Sequence, residues 1–173
     1  MSAISSDERY REAVGLFGAA LDRLAAGYEA DPDKRRDLRQ EIHLQLWRSL
    51  AVYDGRCSLR TWAFRVAHNT AASWVTRERR GRERFVGLEE VERTAAAPDV
   101  APDLDRARSL DHLARLMLTL KPLDRQILIL YLEELDAASI AEITGLSAAN
   151  VAMKIHRIKS ILARRFQEVE RNA

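Results

Sequence analysis

Asn150, Lys154 and Arg157 fall at steps of four and three, so on a helix they share one face, and all three carry hydrogen-bond donors. Asn suits an adenine edge, while Lys and Arg suit guanine edges or backbone phosphates. That is the chemistry of recognition rather than of bond making. The other reactive side chains do not form a competing site. His43, His68, His112 and His156 lie in separate segments with no i, i+4 pair of the kind a zinc site uses, and no Gly-rich phosphate loop is present. Each histidine is expected in a solvated or capping role. No catalytic residue, metal or cofactor is predicted. Cys57 is the only cysteine, so neither an internal disulfide nor a Cys-rich zinc site can form, and an unpaired thiol suits a reducing cytoplasm.

The donor face needs an element to position it, and residues 139–162 supply a helix-turn-helix. Ile140, Ile143, Leu146, Val151, Ile155 and Ile158 can face one core if two helices meet at a sharp corner. Ala141 is small enough for the helices to approach closely. Gly145 stands where the first must stop, in a left-handed conformation that only glycine takes without steric cost. Ser147 caps the second helix. The alternative for this segment alone is an ordinary helical hairpin with a solvated basic face.

Charge is segregated rather than high. The net charge is only +2. Residues 77–84 hold five Arg against two Glu, and residues 153–165 hold Lys154, Arg157, Lys159, Arg164 and Arg165 with no acid. Between them, residues 88–105 hold six acids against Arg93. Two basic faces separated by an acidic connector suggest two contacts with nucleic acid.

With 47% hydrophobic residues, few Gly and Pro, and abundant Ala, Leu, Arg and Glu, the chain reads as all-α. A first helix is expected over about 7–28, capped by Ser6, with Tyr10, Val14, Phe17, Leu21, Leu24 and Tyr28 inward. A second covers 33–50 behind Asp31-Pro32, with Leu38, Ile42, Leu46 and Leu50 inward. After the Asp54-Gly55 turn, Ser58 caps a third that runs to about residue 79. Its inward stripe is Leu59, Trp62, Val66, Thr70 and Trp74, and the two Trp suit core packing better than base stacking. Four helices follow, over 109–120, from Pro122, after Asp136 and after Ser147. The expected architecture is two small helical domains, 1–80 and 109–173, joined by a flexible acidic linker over 81–108 that contains Pro98 and Pro102. The N-terminus is no signal peptide, and no run reaches the roughly 20 apolar residues that span a bilayer. A cytoplasmic protein without membrane insertion is expected.

Three segments sharpen the function. DLRQEIHLQLW (37–47), YDGRCSLRTW (53–62) and RVAHN (65–69), followed by an arginine-rich end, resemble the second conserved region of bacterial sigma factors, specifically the small extracytoplasmic-function (ECF) group. The segment from Leu110 is similar to the fourth conserved region, ending in the helix-turn-helix. Ser73 stands where many relatives carry Asp, Ala149-Asn150 replaces the usual Gly-Thr, and Met153 replaces a small polar residue; the last two changes bear on the promoter sequence read.

The resemblance implies a subunit that binds core RNA polymerase and directs promoter-specific initiation. It places Asp37, Gln40, Glu41 and Arg48 on the polymerase clamp. It places Asn69 at a pocket for an unstacked base of the minus-ten strand, with Arg60, Arg65, Arg77 and Arg80 on phosphates. Asn150, Lys154, Arg157 and Lys159 would contact the minus-thirty-five duplex. Partners are core polymerase, promoter DNA and an anti-sigma factor, and the free protein is expected to be a monomer. Two other functions stay open: a sigma-like mimic that only binds an anti-sigma factor, and a helix-turn-helix regulator acting without polymerase. The regulator leaves DLRQEIHLQLW and RTWAFRVAHN unexplained, and a mimic has no need of Lys154, Arg157 and Lys159.

Overall fold

The structure, a computed structural model, describes residues 5–85 and 116–172. Three helices build the first unit: α1 (Ser6–Tyr28), α2 (Pro32–Ser49) and α3 (Leu59–Phe85), with a 3-10 turn (Leu50–Val52) after α2. Residues 116–119 are helical and lead to α4 (Pro122–Leu132), α5 (Ala137–Thr144) and α6 (Ala148–Asn172). α3 continues to Phe85, five residues into the expected linker; the rest of that linker lies outside the described residues.

Local chemistry explains the helix ends. Ser5, not Ser6, caps α1: its hydroxyl accepts from the Glu8 amide at 3.2 Å, while the Glu8 carboxylate accepts from the Ser5 amide at 2.8 Å. This reciprocal pair satisfies two backbone donors that a helix start otherwise leaves open. Asp31 caps α2 through the amides of Asp33 and Lys34, and Pro32 occupies the position where its missing N–H costs nothing. Those amide bonds hold the Asp31 carboxyl below its ordinary range. At the end of α4, Glu134 takes φ 60°. The Leu135 amide then reaches Leu130 O and the Glu134 amide reaches Tyr131 O, so the last carbonyls are paired and Leu135 folds over the buried Leu130.

The core of the first unit is formed by Leu21, Leu24, Leu38, Ile42, Leu46, Leu50 and Phe64, all fully or almost fully buried. The α2 stripe lies where its period predicts. The α3 stripe does so only at Thr70: Ala63, Phe64, Ala67, His68 and Ala71 also face inward, while Leu59, Trp62, Val66 and Trp74 are half-buried beside them. The small alanines admit neighbouring helices closely. The two indoles stay at the rim because each N–H finds a polar partner there, Ser49 Oγ for Trp62 at 2.9 Å and Glu29 for Trp74 at 3.4 Å. His68 also corrects an expectation, being buried rather than solvated.

The second unit is centred on Ile127, Leu130, Ile140, Val151 and Ile158. It packs directly against the first, α3 against α5 and α1 against α4, and the apolar core runs continuously from one to the other.

Candidate nucleic-acid interface

The corner between α5 and α6 has the expected chemistry. Asp136 accepts from the Ser139 amide at 2.8 Å and caps α5, which lowers its carboxyl from the usual range. Gly145 ends α5 at φ 76°, and its amide closes on Ala141 O at 2.8 Å. Ser147 Oγ accepts from the Asn150 amide and caps α6. Ile140, Ile143, Val151 and Ile158 are buried, with Ala141, Leu146, Ile155 and Leu162 packed around them. The second helix of this corner therefore presents a fixed outer face.

Asn150, Met153 and Arg157 are exposed on that face, Met153 at 66%. Lys154 is half-buried and held by Asp124 Oδ1 at 2.7 Å, beside the start of α4. An ammonium has three donors, so this bond aims Lys154 and leaves it able to donate elsewhere. Lys159 is exposed and rests against Tyr131, its Nζ 3.4 Å from the phenol oxygen and 5.4 Å from the ring centre.

In the first unit, Asn69 is exposed and opens onto a groove of about 400 Å³ between α2 and α3, shared with Gln45, Ser73 and Arg77. The Arg77 guanidinium lies 5.6 Å from the Trp74 ring centre, and Arg80 is exposed one turn on. Glu41 lines the same groove and accepts from Gln45 Nε2 at 2.9 Å, whereas Asp37, Gln40 and Arg48 lie exposed along α2.

Arg60 and Arg65 are placed differently. Arg60 Nη2 donates to Glu133 O at 3.1 Å and Arg65 Nη2 to Glu142 O at 2.7 Å, both across the junction of the two units. The sequence reading missed the residues that complete this junction. Thr61 Oγ1 donates to Glu142 Oε2 at 3.1 Å, and Arg23 makes two 2.6 Å bonds to the Glu133 carboxylate. Arg125, which also donates to the carbonyls of Met117, Leu118 and Leu120, lies 5.4 Å over the Tyr28 ring. The Tyr28 hydroxyl pairs with His68 Nδ1 at 3.0 Å, and His68 Nε2 is buried without a partner. Burial raises the Tyr28 phenol and pushes His68 down to about 3. Tyr28 lies on the expected inward stripe of α1, whereas Arg23, Thr61, Arg125, Glu133 and Glu142 carry no periodic signal in the sequence.

A helix-turn-helix with a donor-bearing outer face, beside a second helical unit with a polar groove and an arginine-rich end, is the arrangement of a DNA-binding protein. Comparison with known proteins narrows the class. The sigma-70 region 2 family matches residues 14–81, and the sigma-70 region 4 family matches residues 110–162. RNA polymerase sigma factor YlaC of Bacillus subtilis (strain 168) is 30% identical over 127 residues, 72% of either chain. The ECF RNA polymerase sigma factor SigX of the same organism is 30% identical over 57 residues, 33% of this chain and 29% of its own. Among solved structures, the sigma factor RpoE in complex with the anti-sigma factor NepR from Bartonella quintana superposes with a TM-score of 0.72 at 20% identity, over 91% of this chain and 96% of that one. CnrH in complex with the cytosolic domain of CnrY gives 0.67 at 18% identity, over 92% and 88%. At these identities the likeness is one of fold. The chain belongs to the ECF sigma factors, which bind core RNA polymerase and direct promoter-specific transcription initiation. No described helix is long and apolar enough to cross a membrane.

Proposed function

We propose that the first unit, residues 1–80, docks on the polymerase clamp through Asp37, Gln40, Glu41 and Arg48 and captures an unstacked minus-ten base at Asn69. Arg60, Arg65, Arg77 and Arg80 hold the adjacent phosphates, a salt-sensitive interaction. The second unit, residues 109–173, reads the minus-thirty-five duplex: Asn150 and Lys154 reach base edges, and Arg157 and Lys159 hold phosphates. Residues 81–108 connect the two. The protein acts in the cytoplasm as a non-catalytic specificity subunit and is a monomer when free. RpoE and CnrH were each solved with a protein partner, an anti-sigma factor in the first case, which supports a protein antagonist here too.

The observation that carries the melting role is the Asn69 groove. It lies in the size range of small-ligand sites, offers amide, hydroxyl and carboxylate groups for a base edge, and has the Arg77 cation at its rim. Run-off transcription with core polymerase tests it, comparing Asn69→Ala on a fully paired promoter and on one with a pre-melted bubble. Losing the base contact costs roughly 0.5–1.5 kcal/mol on the paired template, and the bubble restores most of the activity. Equal loss on both templates would show that Asn69 does not act in strand capture.

A further inference from the structure

One large apolar side chain, Met153, interrupts the polar outer face of α6. We propose that Met153 is a specificity-determining residue: its thioether side chain packs on the C5 methyl of a thymine in the major groove of the minus-thirty-five duplex, and so selects an A·T pair at that position.

Helix geometry sets Met153 apart from its neighbours. Val151 and Ile158 are buried and Ile155 and Leu162 pack beside them, so these four mark the side of α6 turned to the core. At 3.6 residues per turn, Met153 lies about 170° round the helix from the middle of that stripe, against about 130° for Arg157, 110° for Asn150 and 70° for Lys154. It therefore projects farthest from the core and reaches deepest into whatever groove α6 enters. Among the described residues of the second unit it is also the most exposed large apolar side chain, at 66%. Lys154 does not cover it, because Asp124 Oδ1 holds that ammonium at 2.7 Å on the side of α4. Ala149, one turn earlier and also exposed, is small enough to let a base pair approach.

The bordering side chains say what covers Met153. Asn150 and Arg157 are exposed donors on one flank, with Lys154 beyond them. Such a border suits an anion-lined groove and is unlike the core of a protein interface, where charge is depleted. Among the base edges of the major groove, only thymine presents an apolar group, its C5 methyl. A cytosine amine in its place would give up water and find no partner on the thioether. The unbranched, polarizable side chain adapts to the methyl without demanding one exact pose.

The assignment rests on α6 reading the minus-thirty-five duplex, and the experiment keeps the two ideas apart. Holoenzyme formed from core polymerase and the full chain first selects a minus-thirty-five site from randomised duplexes. Each thymine of the selected site is then replaced in turn by deoxyuridine, which keeps the pairing and the O4 acceptor and removes only the methyl. Wild type should lose about fourfold in affinity at one of these replacements, the effect of burying one methyl group. Met153→Ala, which favours the helix but withdraws the contact, should bind the thymine duplex as weakly as wild type binds the deoxyuridine one, and should not distinguish the two. Met153→Leu, apolar and of similar volume, should retain the discrimination. A selected site without thymine, wild-type binding unchanged by every replacement, or a Met153→Ala variant that still loses affinity with deoxyuridine would each overturn the assignment. The wild-type scan needs no variant and decides the matter even where a substitution disturbs folding. Lys154→Ala and Arg157→Ala in the same assay report on α6 itself. If both leave binding and preference unchanged, the recognition-helix reading fails; if they alter it while the deoxyuridine scan is flat, only the role of Met153 falls.

Discussion

Acidification should destabilise the first unit through His68. The imidazole is fully buried, its Nδ1 paired with the Tyr28 hydroxyl and its Nε2 facing no polar partner. Whichever nitrogen carries the proton in the neutral ring, a second proton would produce a buried cation with one N–H unpaired. Burial therefore moves the group from 6.5 in the ordinary range to about 3. A depressed histidine binds fewer protons folded than unfolded between those values, so its stabilising effect is complete above 6.5 and is lost as pH falls towards 3. Between pH 7.5 and 5.5 the linkage amounts to about 1.4 kcal/mol. Half-buried His43, also lowered by burial, adds a smaller effect of the same sign. With a urea slope of about 2 kcal/mol per molar, the His68 share lowers the midpoint by about 0.7 M. Urea titrations of wild type and His68→Leu, followed by far-ultraviolet circular dichroism at the two pH values, isolate that share. His68→Leu should be weaker at both, because it leaves the Tyr28 hydroxyl unpaired, yet lose most of the pH dependence. Parallel pH dependence in the two proteins would refute the reasoning.

Reversing charge at Asp37 together with Glu41 should weaken assembly with core polymerase by about tenfold while leaving helical content unchanged, since Asp37 is exposed and Glu41 bonds Gln45 at the groove edge; a pull-down titration with core polymerase measures it. Lys154→Ala should cost roughly 1–3 kcal/mol and relax preference at one base pair, with Asp124→Asn giving a smaller loss at the same base pair because it only loosens the aim of the ammonium. Arg157→Ala should instead weaken all sequences alike and reduce the salt slope by about one charge. Selection from randomised minus-thirty-five sequences, run with each variant, distinguishes these outcomes.

The helix-turn-helix was readable because each of its parts is signalled locally. Gly145 must be glycine at φ 76°, Asp136 and Ser147 are caps within three residues of the amides they bind, and the isoleucines repeat at helical spacing. The α2 stripe was readable for the same reason. α3 was misjudged because the sequence pattern weights bulk. Trp62 and Trp74 look like core, yet an indole N–H requires a partner, and the partners Ser49 and Glu29 sit at the edge. Three of the positions packed inside, Ala63, Ala67 and Ala71, are alanines, whose value lies in what they let approach. Asn69 and Glu41 came from separate segments with separate expected roles, and only the packing of α2 on α3 shows that they share one groove.

The junction between the units was hidden for a deeper reason. Glu133, just past the end of α4, and Glu142, on α5, look like surface acids, and what makes them matter is three α3 donors and Arg23, distant in sequence. Arg125 illustrates the same point from inside. An arginine two residues past Leu123 looks solvated, but its guanidinium donates to the carbonyls of Met117, Leu118 and Leu120 and then covers Tyr28, whose hydroxyl in turn serves His68. Each member is tolerable in the interior only because the next one is present. Desolvation lowers Arg125 from its ordinary value and raises Tyr28, so each polar group here has given up water. Parting the two units would separate Arg125 from the Tyr28 ring and return both to solvent, while His68 would keep its place against α1. The cation over the ring links α4 to α1 at the place where Gly27 keeps the helices close.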